Sequence, residues 1–109
     1  MNVVAYVVDL MDRSKVTSAA GAAGIDVTFV RSPTKLAETV AGGDVTTVVV
    51  DLSRPDAIEA IAGVAGRSRV IGFGSHVDTE RLQAARLAGS ETVLARSAFF
   101  SDPARWMRG

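Results

Sequence analysis

Apolar runs and amphipathic stretches alternate five times along this chain. Val3 to Val8, Val45 to Val50 and Val70 to Phe73 are nearly continuous runs of β-branched, aromatic and other apolar residues, the pattern of central strands covered by helices on both faces. Ile25-Asp26-Val27-Thr28-Phe29 alternates strictly and Thr92 to Ala95 is short, so both predict edge strands. Helical spacing fills the gaps: Val16, Ala19, Ala20 and Ala23, then Leu36 and Val40, then Ile58, Ile61, Ala62 and Ala65. A fourth helix is predicted over Asp78 to Ala88 and a short last one from about Asp102. The pairs Ser32-Pro33 and Asp102-Pro103 each place an N-cap side chain before a proline suited to the first helical turn. Gly24, Gly43, Gly66 and Gly89 stand where helices should stop.

Five βα units with right-handed crossovers favour the strand order 2-1-3-4-5. The expected fold is therefore an α/β, doubly wound, five-stranded parallel sheet of the flavodoxin-like type with a shortened last helix, one domain over residues 1–109. An apolar content of 48% against 22% charged supports one buried core. Twelve basic and twelve acidic residues balance and are scattered, so no electrostatic footprint for nucleic acid or an anionic membrane is expected. The absence of cysteine excludes disulfides, thiolate metal sites and thiol nucleophiles. With no basic leader, and an apolar first run ending at Asp9, far short of the roughly 20 residues that span a bilayer, the expected location is cytoplasmic.

In this strand order, ligands bind beyond the carboxyl ends of strands one and three. Asp9 follows the first strand and Asp51 closes the third. Two carboxylates converging there need a cation, a basic side chain or a proton to balance them. The alternative is that each caps its own turn. No Gly-x-Gly-x-x-Gly, Walker loop or nucleophile elbow is present, which argues against nucleotide-binding enzymes and hydrolases. His76, the only histidine, falls in a loop and is expected at the surface.

The segment Val48-Val49-Val50-Asp51-Leu52-Ser53-Arg54-Pro55 resembles the phosphoacceptor stretch of bacterial response-regulator receiver domains. The resemblance continues through Val70 to Asp78, Ala84 to Ser90 and Val93 to Phe99, nearly the whole chain. It implies Asp51 as phosphoacceptor, with Mg²⁺ held by Asp51 and an acidic pair after strand one. Asp9 matches the first acid, but Leu10 stands in place of the second. Asp12, two residues further on, could replace it as a metal ligand or instead cap the first helix. Gly74 replaces the switch hydroxyl, with Ser75 one place along, and Arg96 replaces the family's lysine. Since a guanidinium can bridge carboxylates where an ammonium acts as a point charge, Arg96 is expected to neutralise Asp9 and Asp51 without metal.

The resulting expectation is a degenerate, or pseudo-receiver, module: stand-alone, not an enzyme, acting by protein–protein interaction, with phosphorylation at Asp51 vestigial or conditional. Two alternatives stay open, a competent single-domain response regulator fed by a histidine kinase, and a small-molecule binder using the same crevice. A homodimer is expected through the face formed by the fourth helix, the fifth strand and the short last helix, with Phe100, Trp106 and Met107 at the contact, because large apolar side chains crowd the last eleven residues.

Overall fold

A computed structural model describes residues 2–109. The elements follow one another as β1 (Asn2–Tyr6), α1 (Leu10–Ala23), β2 (Asp26–Phe29), α2 (Pro33–Ala41), β3 (Thr47–Asp51), α3 (Ala57–Ala62), β4 (Arg69–Gly74), α4 (Thr79–Ala88), β5 (Thr92–Ala95), α5 (Arg96–Ser101) and α6 (Pro103–Arg108). The strands form one parallel sheet in the order β2-β1-β3-β4-β5, as the alternation predicted. The register sets Val4 against Val48, and Val48 against Val70.

Strand alternation sends side chains to two cores. Val4, Tyr6, Val48, Val50, Leu52 and Val70 face α2, α3 and α4, where Leu36, Ala60, Ile61 and Ala85 close over them. Val3, Ala5, Val7, Val49, Ile71 and Phe73 face α1, α5 and α6, packing against Val16, Ala20, Phe99 and Met107. Every residue of β3 is buried, whereas β2 alternates between exposed and half-buried and β5 is half-buried throughout. No helix among the described residues is long and apolar enough to cross a membrane.

The helix ends follow the local chemistry, with two shifts. Ser32 and Asp102 accept hydrogen bonds from the Lys35 and Arg105 amides, at 3.0 and 3.4 Å, ahead of their prolines. Gly24 and Gly89 close α1 and α4 in the left-handed conformation, but α2 stops at Gly42 rather than Gly43 and α3 at Gly63 rather than Gly66. The larger departure is at the carboxyl end. Helix formation begins at Arg96, directly after β5, and is broken at Asp102, because Pro103 has no N–H to continue the ladder.

Two short helices therefore cover this side of the sheet, and Met107, expected at an interface, is fully buried in the core. The reason is coverage: α6 packs on α1, and its Met107 reaches the same cluster as Phe99 and Phe73.

Gly89 carries φ +116°, and a Cβ there would lie 2.5 Å from the Ala65 Cβ. Gly89→Ala is expected to destabilise the fold in urea denaturation by more than the ~1–2 kcal/mol of the left-handed backbone alone. Adding Ala65→Gly should recover only the contact part.

Candidate functional site

The site is built where α1, the loop after β3 and the start of α5 meet beyond the carboxyl ends of the strands. Asp9 lies past the end of β1 as the N-cap of α1, its Oδ1 accepting the Asp12 amide at 2.9 Å. Its side chain is exposed. Asp12 is not a cap; it sits in the first turn of α1 and is 4% exposed. Arg96 reaches it from the first residue of α5, Nη2 to Oδ1 at 2.8 Å. The guanidinium also lies over the rings of Phe73 and Phe100, 5.4 and 5.2 Å from their centroids. These rings belong to a cluster in which Phe73 stacks on Phe99 at 4.8 Å and Phe100 meets both edge-on.

The expected bridge from Arg96 to Asp9 and Asp51 is thus corrected: the ion pair is made to Asp12. The other two carboxylates are held by local backbone chemistry. Asp9 is spent on its helix cap, while Asp51, 3% exposed, accepts the Ser53 amide and hydroxyl on the same Oδ1, at 2.9 and 2.8 Å. Arg96 stays protonated more firmly than a free guanidinium, chiefly through its hydrogen bond to Asp12, opposed by partial burial and aided by the charges of Asp12, Asp51 and Asp9.

A divalent cation of the Mg²⁺ type asks for several oxygen ligands. Among the described residues no three His, Cys, Asp or Glu side chains come together to hold a metal ion. Asp12 faces a guanidinium, and Leu10, in the place of an acid, is 75% exposed. Asp9, Asp12 and Asp51 therefore do not fit the metal as arranged.

Nor does the end of β4 carry a hydroxyl. A Cβ on Gly74 would lie 3.0 Å from the Leu52 Cβ, and one on Gly72 3.0 Å from Leu52 Cδ2, so Leu52 occupies the space that side chains on β4 would need. The Ser75 hydroxyl instead accepts the Val77 amide at 3.4 Å within its own loop. His76 is exposed, as expected. A cleft of about 340 Å³ remains between the loops after β3 and β4, lined by Leu52, Ser53, Gly74, Ser75, Asp78 and Arg81. That is near the lower limit for a small-molecule site, and Arg81 is already engaged with the Arg54 carbonyl and with Asp78.

Sequence reasoning missed Tyr6. Buried in β1, it donates its hydroxyl to Asp56 Oδ1 at 2.6 Å, which leaves Asp56 making no side-chain cap for α3. This bond ties the loop after Asp51 to the central sheet. The signal was there: a tyrosine inside a valine-rich strand must find a partner for its polar tip. The Arg54 guanidinium beside it is held protonated, first by the Tyr6 hydroxyl and further by Asp56 and Asp51, and its Nε is buried without a hydrogen-bond partner among the described residues.

No protein-family model and no curated protein matches the chain. Solved structures do. A response regulator from Hahella chejuensis superposes with a TM-score of 0.83 at 16% identity, over 98% of this chain and 92% of that one. The chain has the fold of a receiver domain. The receiver domain of a Pseudomonas aeruginosa sensor histidine kinase, with a magnesium ion in its active-site cleft, gives 0.83 at 13% identity over 98% and 93%. The Saccharomyces cerevisiae receiver domain of the response regulator Ssk1, in complex with the histidine phosphotransfer protein Ypd1, gives 0.76 at 13% over 88% and 78%. Within this fold, Asp51 ends the third strand.

Burial, then the hydrogen bond to Asp56, raises the Tyr6 pKa above 10.0. The folded state therefore keeps a proton that the unfolded chain gives up, so this contribution to stability is present below pH 10.0 and lost as pH rises through the folded value. Because Tyr6 is the only tyrosine, its absorbance reads this directly. Phenolate should appear at higher pH in the folded than in the unfolded protein, and Tyr6→Phe should flatten that pH dependence at a cost of about 1 kcal/mol near neutrality.

Proposed function

We propose that this chain is a non-enzymatic, receiver-fold signalling module that acts by contact with a protein partner, with phosphorylation at Asp51 vestigial or conditional. The observation that carries this reading is the Arg96–Asp12 ion pair. It lies where a phosphoryl-accepting site needs open oxygens and a divalent ion to neutralise the transferred group. Leu10 and Gly74 weigh the same way, since neither supplies a ligand or a hydroxyl. A receiver domain of this fold in complex with a histidine phosphotransfer protein supports a protein partner of that general kind; a histidine kinase as partner and a cytoplasmic setting belong to the same proposal. The proposed contact face runs over α4, β5 and the last two helices. Phe100 and Trp106 remain half-buried there and Leu87 is 79% exposed, and pairing of two copies through this face is the simplest way to cover them.

One observation favours the alternative, a phosphate-accepting response regulator: both Ser53 hydrogen bonds fall on Asp51 Oδ1, and no side chain or amide among the described residues bonds Oδ2.

Incubation with acetyl phosphate and Mg²⁺, read by intact mass, separates the two. No phosphoryl adduct is expected; an adduct present in the native protein and absent in Asp51→Asn would establish the alternative. Sedimentation at micromolar concentration should show a dimer that Trp106→Ala weakens by about tenfold or more in Kd, the factor equivalent to ~1.4 kcal/mol. A monomer in both proteins would remove the proposed pairing.

A further inference from the structure

We propose that Arg96 is the resident cation of the acidic cleft: its guanidinium takes the place of a divalent ion, and by pairing with Asp12 it fastens α1 to the β5–α5 junction in a metal-independent position. This rests on the reading above, whose carrying observation is the same ion pair, and deepens it by assigning the charge balance of the cleft to the chain itself.

Three independent observations lead to it. The first is burial. Asp12 is 4% exposed, and its one side-chain hydrogen bond among the described residues is the one from Arg96, formed across 84 residues of sequence. Without that partner a charged carboxylate would be left nearly dry, which is unfavourable enough that some cation must accompany it.

The second is fixation of the guanidinium. It is held on the faces of Phe73 and Phe100, and those rings are themselves locked by Phe99 in the core. The Arg96 side chain is still 41% exposed, but two aromatic contacts and one charged hydrogen bond direct its guanidinium to Asp12.

The third is its place in the chain. Arg96 is the first residue of α5, and Ala95 before it provides no side-chain cap. A helix N-terminus disfavours a cation, so local helix chemistry does not account for an arginine here; the carboxylates do.

The same geometry disfavours a metal. A divalent ion would have to compete with a guanidinium already bonded to Asp12, recruit Asp9 from its helix cap, and take Asp51 with Oδ1 already bonded to Ser53. Leu10 adds no oxygen. Charge balance therefore resides in the chain, and the start of α5 is positioned by the same contact that supplies it. Arg96 acts here as a positioning residue for the junction.

The test is a titration of the intact protein with MgCl₂, followed by two-dimensional amide NMR and by calorimetry. In the native protein the amides of residues 9–12, 51–53 and 96–101 are expected to stay unmoved through millimolar Mg²⁺. Arg96→Ala should gain Mg²⁺ affinity by at least about tenfold over the native limit, with shifts at 9–12 and 51–53, and the amides of 96–101 should become metal-responsive as the junction loses its tie. Arg96→Lys, whose compact ammonium cannot both pair with Asp12 and lie flat on the two rings as the guanidinium does, should show a smaller gain in the same direction. If Arg96→Ala does not fold, Arg96→Gln, which is shorter but keeps a polar amide without the charge, carries the same expectation. Saturable Mg²⁺ binding by the native protein at these amides, or no gain in the neutral variants, would overturn the proposal. Either result leaves the partner-binding reading to its own adduct and sedimentation measurements.

Discussion

The two-sided burial of β3 is the constraint on which the other features of this protein rest, because a strand with no exposed face needs helices on both sides and neighbours on both edges. Val48, Val49 and Val50 have no exposed surface, and β1 and β4 pair with β3 on either edge. Such a strand ends abruptly, and the first polar residue beyond the valines is Asp51. The carboxylate is placed by the burial of its predecessors, at the point where the chain must turn and backbone donors become available. Ser53 supplies them.

The same packing explains why the neighbouring positions depart from a phosphate-accepting site. Leu52 turns back over β4 and fills the space above Gly72 and Gly74, so a large side chain on the loop and two glycines on the strand form one arrangement. A hydroxyl at Gly74 would require a smaller residue at 52. On the other face, Phe73, Phe99 and Phe100 build an aromatic platform that supports the Arg96 guanidinium. The site is thus framed by a filled core on each side, and its charges are balanced between fixed side chains. Dense interiors tolerate few alternative arrangements.

Tyr6 extends this economy to the loop after β3. Its hydroxyl holds Asp56, the Leu52 amide donates to the Phe73 carbonyl at 2.8 Å, and Arg81 holds the Arg54 carbonyl from α4. The segment following Asp51 is tied to β1, β4 and α4 at once. A loop with so many attachments has little room to rearrange around a transferred group, and this complements the closure of the acidic cleft by Arg96.

Much of this was legible in the sequence. Runs of β-branched residues, a single alternating strand, and proline and glycine punctuation suffice for the strand order and the two edges, because hydrophobic periodicity and turn chemistry act locally. The positions of Asp9 and Asp51 near one crevice followed from that order, whereas Arg96 and the departures at Leu10 and Gly74 were implied only by the resemblance to receiver domains. The partner of Arg96 followed from neither: Asp9 and Asp12 are three residues apart, and which carboxylate caps α1 and which points inward depends on where the helix starts and how it sits on the sheet. The burial of Met107 was hidden for a similar reason, since nothing local says that α5 begins at Arg96 and brings α6 back over α1. Pairings across 84 residues or between two cores are decided by packing, where burial removes water from a charged group and leaves it only the partner that the tertiary fold brings within reach.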